Sequence, residues 1–329
     1  MKILILLLVA TLLSVTNIYS QQESAELKEA RTLTESVIKL FNQGKYDEAL
    51  PPAKSVLQIR EKLLPRTDPQ IASALNNLGE LYTAKKDHKA AIQVYLRVLQ
   101  IHEEVFGRED VNLAFTLDRL AVLYYAAGNF KETEAAYKRM LVLREKAHGS
   151  DSAEVAQSLF TLGEFYRARR ELALALDSYK RSLNLHGKLT GVMTPEFERV
   201  SDGFRCVAYS HGKPELFKEL TEIRKQFEPP AAAEKSEIRV LNGKALSLPK
   251  PEYPDAAAQR RLAGIVVVKV EVDETGSVIG ASDMCQGPPF LSEAAVAAAR
   301  QARFSPTILD GQPVKVIGII QYKFAERFR

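Results

Sequence analysis

The sequence predicts a multidomain protein: an all-α superhelix of stacked helical repeats (an α-solenoid), then a small α+β domain in the order β-β-α-β. Three observations carry this reading. A 42-residue self-similarity runs through the first two-thirds of the chain. After Glu228 the apolar period shifts from helical spacing to two. A short apolar run opens the chain.

The repeat is seen in Leu78-Gly79-Glu80-Leu81-Tyr82, Leu120-Ala121-Val122-Leu123-Tyr124 and Leu162-Gly163-Glu164-Phe165-Tyr166, each 42 residues from the next. Tyr95, Tyr137 and Tyr179 keep the register, as do Leu99, Leu141 and Leu183. So do the turns Gly44-Lys45-Tyr46, Lys86-Asp87-His88, Gly128-Asn129-Phe130, Arg170-Glu171-Leu172 and Gly212-Lys213-Pro214. Within a unit, Leu75, Leu78, Leu81 and Tyr82 make one helical stripe, and Ala90, Ala91, Val94, Tyr95, Val98 and Leu99 a second. Small residues at Gly79, Ala121 and Gly163 permit close helix approach. Neither helix buries its stripe alone, so units must stack. Pro65, Pro69, Gly107, Gly149, Gly191 and Pro195 punctuate the connectors. The array spans residues 25–228, with the first and last units degenerate.

This framework resembles the tetratricopeptide (TPR) family in its 42-residue, kinesin-light-chain-like form. The resemblance implies a scaffold that binds a partner protein or peptide in a concave groove lined by the first helices. In this register the groove candidates are Asn77, Glu80, Arg119, Tyr125, Thr161, Glu164 and Arg167. Asn77 falls where related arrays hold a ligand's backbone amide. Its equivalents are Arg119 and Thr161, so the Asn is not repeated.

Residues 229–243 read as a linker containing Pro229-Pro230 and Ala231-Ala232-Ala233. In residues 244–329, Val266, Val268, Val270 and Val272 alternate with Val267, Lys269 and Glu271, giving one buried and one partly wet face. Asp273-Glu274-Thr275-Gly276 reads as a hairpin turn and Val278 to Met284 as the return strand. Leu291, Ala295, Ala298 and Ala302 mark a helix that Ser305-Pro306 stops, and Val314 to Phe324 is the last strand.

These residues resemble the TonB C-terminal domain. The carrying features are Tyr253-Pro254-x-x-Ala257, the run from Gly264 to Val278, Leu291-x-x-Ala294-Ala295, Ala298-Ala299-Arg300, Arg303-Phe304-x-Pro306 and Gly311-x-Pro313-Val314. The resemblance implies contact with an outer-membrane receptor or another envelope partner, made by pairing with the exposed edge of the last strand. The edge-pairing candidates are Val314, Val316, Gly318, Ile320, Tyr322 and Phe324. The chain departs from the family in having no Trp, with Ala302 before Arg303-Phe304, and in carrying Ala258-Gln259 where some members have a receptor-contacting Gln.

At the N terminus, Lys2 precedes a run from Ile3 to Val15 broken only by Thr11 and Ser14. Its length fits a signal peptide over residues 1–20, cleaved near Ser20/Gln21, and an exported, periplasmic protein. The competing reading is an uncleaved inner-membrane anchor facing the periplasm, which would make the chain a TonB-type energy transducer for transport across the outer membrane. The run holds no ionisable residue to couple to protons, and no long Pro-rich spacer follows.

With 329 residues the chain accommodates two domains. Basic and acidic residues number 45 and 41, giving a net charge of +4 spread over mixed-sign helices, which speaks against a nucleic-acid partner. Cys206 and Cys285 fall in different predicted domains, so buried free thiols are expected over a disulfide. His102 and His186 occupy equivalent repeat positions and read as repeat decoration; His88, His148 and His211 form no ligand spacing. Gly107-Arg108-Glu109-Asp110 is an acidic turn that would repel phosphate. No catalytic, cofactor-binding or metal-binding residues are assigned, and the expected function is that of a non-enzymatic protein–protein interaction adaptor.

Overall fold

A computed structural model describes residues 24–210, 215–227, 243–285, 287–309 and 311–325. The expected signal segment 1–20, the expected linker up to residue 242 and the fifth turn at Gly212-Lys213-Pro214 lie outside the described residues. The chain divides into two compact units, residues 1–149 and 150–329.

Among the described residues, the first unit holds six helices: α1 (Ala25–Asn42), α2 (Tyr46–Leu63), α3 (Pro69–Ala84), α4 (His88–Phe106), α5 (Leu113–Ala126) and α6 (Phe130–His148). Local chemistry starts them. Ser24, Asp68 and Asp87 accept backbone N–H bonds from Leu27, Gln70 and Ala90, and Pro69 sits in the first turn of α3. Each helix pair closes through one recurring turn. Gly44, Lys86 and Gly128 take positive φ (72°, 60° and 79°), and the next residue donates back to Leu40, Tyr82 or Tyr124 at 2.8–2.9 Å. That six-to-one bond satisfies a carbonyl the helix end would leave unpaired. The stripes foreseen from spacing form the core: Leu75, Leu78, Leu81, Tyr95 and Val98 are buried.

The second unit begins with α7 (Ala153–Ala168), α8 (Leu172–Thr190), α9 (Pro195–Ser210) and α10 (Glu215–Lys225). The same turn recurs at Arg170, with φ 59° and Glu171 N–H bonded to Tyr166 O at 2.9 Å. The small-residue positions admit an aromatic ring. A Cβ on Gly163 would stand 2.6 Å from the Tyr179 ring, as one on Gly79 would from Tyr95 in the first unit.

The C-terminal part of this unit contains β1 (Ala245–Ser247), α11 (Asp255–Gln259), β2 (Gly264–Val272), β3 (Val278–Asp283), α12 (Pro289–Arg300), β4 (Arg303–Phe304), β5 (Thr307–Leu309), β6 (Gln312–Val314) and β7 (Val316–Phe324). An antiparallel sheet in the order β3-β2-β7 packs one face on the Ala-rich side of α12. Small Ala295, Ala298 and Ala299 let helix and sheet close. The Tyr253-Pro254-x-x-Ala257 motif is structural: the Tyr253 hydroxyl donates to Leu262 O, its ring meets Phe324 edge-on at 6.0 Å, and Ala257 is buried.

Two expectations require correction, and a third gains detail. The expected last strand is two strands, because the turn at Gly311 (φ 78°) folds β6 back on β5; Val314 pairs with Thr307 and is not in β7. The second face of β2 is partly wet as expected, with Glu271 exposed and Lys269 half-buried, while Val267 is fully buried because α9 packs on this strand. Cys206 and Cys285 are not free thiols but a disulfide, with Cα atoms 5.3 Å apart. The same packing of α9 on β2 brings them together, so the separation assumed between the two predicted domains does not hold here.

Candidate functional site

The groove candidates fall in two sets. In the first unit, Asn77 and Glu80 stand on α3 and line a cavity of about 240 Å³ with Val37, Ile38 and Phe41. Glu80 accepts from the Tyr95 hydroxyl at 2.8 Å and pairs with Arg119 on α5 at 3.3 Å. Arg119 also lies 5.0 Å over the Phe115 ring. Asn77, Glu80 and Arg119 therefore come together. Tyr125, at the far end of α5, instead meets Phe130 edge-on at 5.7 Å.

In the second unit, Glu164 and Arg167 line a cavity of about 620 Å³ with Phe160, Glu198, Arg199 and Asp202. Glu164 accepts from Tyr179 and from Arg167, the latter at 2.6 Å. Thr161 is not part of that set; its hydroxyl donates to Gln157 O on its own helix at 3.0 Å. Arg199, 4.8 Å over Phe160, and the Cys206 and Met284 wall were missed by sequence reasoning. Their placement depends on α9 and on the loop after β3, for which the repeat register carries no signal.

Glu80 and Glu164 are repeat equivalents, and each bonds the buried tyrosine of its own second helix. Burial, then the hydrogen bond and charge of Glu80, push the Tyr95 phenol above its usual pKa; burial and Glu164 do the same for Tyr179. Both phenols stay protonated donors. The middle repeat has Val122 in place of the Glu, and Val122 is exposed beside exposed Phe115 and Tyr125 on α5. There Tyr137 is pushed up to about 12, first by burial.

The second candidate surface is the sheet edge. β7 has β2 as its one strand neighbour among the described residues. Met284 N–H donates to Val267 O at 2.9 Å, so the odd-numbered residues of β2 turn their backbone groups toward β3. Val266, Val268 and Val270 then face β7, opposite Tyr322, Ile320 and Gly318. The candidates Val316, Gly318, Ile320, Tyr322 and Phe324 thus have backbone groups turned to β2, and the side chains of all but Gly318 lie in the core. The outward N–H and C=O groups belong to Ile317, Ile319, Gln321 and Lys323. This corrects the residue set by one position, since a strand's alternate residues point to opposite edges.

Among the described residues, no group of three or more His, Cys, Asp or Glu is placed to hold a metal, and no helix is long and apolar enough to cross a membrane.

Comparison with known proteins matches residues 249–325 to the family described as Gram-negative bacterial TonB protein C-terminal. Residues 29–104, 70–141 and 112–187 match the tetratricopeptide repeat family. Among solved structures, TPR-like repeats ascribed to a kinesin light chain of Podosopora anserina align with 65% of this chain and 99% of their own, at 17% identity and TM-score 0.51. A point variant of that protein gives 65%, 100%, 17% and 0.52. BtubC from P. vanneervenii aligns over 70% of this chain and 100% of its own, at 17% identity and TM-score 0.44. The Podosopora likenesses establish the repeat fold. No curated protein matches the chain. Both matched families are in general non-enzymatic binding domains.

Proposed function

We propose that this chain, which carries tetratricopeptide repeats ahead of a TonB C-terminal-type domain, is a non-enzymatic adaptor of the bacterial periplasm. Its repeats hold a partner peptide through Asn77, Glu80 and Arg119 in the first unit, with exposed Phe115 and Val122 offering apolar contact. Its C-terminal domain engages an envelope partner by strand addition. One observation carries the reading: among the described residues β7 ends the sheet, and the backbone groups of Ile317, Ile319, Gln321 and Lys323 point away from β2. Unpaired edge groups favour an added strand with little demand on its side chains.

Proline discriminates the two sides of β7. Ile319→Pro removes an outward N–H and is tolerable at an edge, whereas Ile320→Pro removes one directed at β2. The expected result is that full-length protein with Ile319→Pro keeps its circular dichroism spectrum yet loses the envelope proteins that wild type retains in a pull-down from periplasmic extract. Equal retention by both would exclude strand addition at this edge.

A further inference from the structure

We propose that the Cys206–Cys285 disulfide is a redox-operated latch that holds the C-terminal sheet against the last repeat helices and, when reduced by a dithiol, releases it. These are the chain's two cysteines, 79 residues apart, one on α9 and one in the loop after β3. The loop is built to present its cysteine. The Asp283 carboxylate accepts from Cys285 N–H at 2.9 Å, from Gly287 N–H at 2.8 Å and from the Ser292 hydroxyl. Cys285 is therefore held in place whether or not the bridge is closed.

Among the described residues, few polar contacts stand beside it. Arg167 donates to Cys285 O at 3.0 Å, and Lys269 on β2 meets Asp202 on α9 at 3.4 Å with both side chains about a third exposed. Val267 is buried on the face of β2 that α9 packs against. Partly exposed ion pairs add little, so the covalent bond makes a weak docking permanent. Once it opens, docking becomes an equilibrium. The released state uncovers Val267 and removes the Met284 wall from the 620 Å³ cavity.

The exchange is direct. Cys206 is buried and Cys285 half-buried, so a reductant thiolate attacks Cys285 Sγ. The S–S bond breaks, Cys206 leaves as thiolate and takes a proton, and a mixed disulfide remains on Cys285. The second reductant thiol closes on its own sulfur and frees Cys285. One dithiol is oxidised to a disulfide, and one protein disulfide becomes two thiols.

The test is hydroxyl-radical footprinting of the full-length chain, oxidised and after dithiothreitol with alkylation, alongside the Cys206→Ser/Cys285→Ser variant. Mass must show two alkylated thiols in the reduced chain. Expected is a rise of several-fold in labelling at Met284 and in the segment containing Val267, with Leu291 and Tyr179 unchanged. The proposal is overturned if labelling stays the same with both thiols alkylated. It is equally overturned if reduction exposes Tyr179, making the bridge a fold staple, or if dithiothreitol fails to open the bridge in the folded chain. The reduced wild type decides the matter if the variant does not fold. None of these readouts depends on strand addition at β7.

Discussion

Lys86 and Arg170 hold φ near +60° where the equivalent residues Gly44 and Gly128 take the same conformation without a Cβ. A non-glycine residue in the left-handed region is strained by about 1 kcal/mol, because its Cβ crowds the following carbonyl. The turn forms regardless, since the bond from Asp87 N–H to Tyr82 O completes the helix end. Lys86→Gly is therefore expected to stabilise the first unit by up to about 0.6 kcal/mol, the strain relieved less about 0.4–1 kcal/mol for the added freedom of the unfolded chain. Urea unfolding measures it, and a lowered midpoint would count against the strain argument.

Among the elements, the β2–β3 hairpin depends on one glycine for two reasons. Gly276 takes φ 85°, and a Cβ there would run into the carbonyl oxygen of Phe304. The turn is otherwise organised by Asp273, whose carboxylate accepts from Thr275 N–H at 2.9 Å and Ser277 N–H at 2.8 Å. The Thr275 hydroxyl bond, then the backbone N–H bonds, hold that carboxyl below its usual pKa. Gly276→Ala combines backbone strain with a backbone collision that no rotamer change relieves. A loss of about 2–4 kcal/mol is expected, and thermal unfolding of the variant would refute this by showing an unchanged Tm. The hairpin's residues were legible from spacing. The edge chemistry of β7 was not, because a period-two pattern tells which side chains are buried but not on which side the neighbouring strand lies.

At the scale of the whole molecule, both units carry a histidine that folding keeps neutral. Burial lowers the pKa of His102 on α4 and of His186 on α8 below the ordinary 6.5. The unfolded chain thus binds protons that the folded chain refuses. Their stabilisation is complete above pH 6.5 and is lost as pH falls through that value toward the folded pKa. Glu198 acts lower on the scale. Burial opposes its ionisation, but Arg224, Arg205 and Lys269 outweigh it and hold the carboxyl below 4.5, so its contribution is lost beneath that pH. The expected result is a lower denaturant midpoint at pH 5.5 than at pH 7.5, with the difference reduced in His102→Gln/His186→Gln. A flat profile in wild type would contradict it.

The sequence by itself determined the repeat, its helix pairs and turns, and the strand and helix order around α12. Each of these follows from local periodicity and from residues whose backbone preferences act within a turn or two. Side-chain pairing was not legible from the register: Glu80 and Arg119 form an ion pair across neighbouring helices, while Tyr125 meets Phe130 and Thr161 bonds Gln157 on its own helix. Only the tertiary structure decided that α9 covers the second face of β2, and with it that Val267 is buried and that Cys206 meets Cys285. Those facts depend on contacts between segments 79 residues apart, which no periodicity encodes, and they place the last repeat helices and the C-terminal sheet in one compact unit.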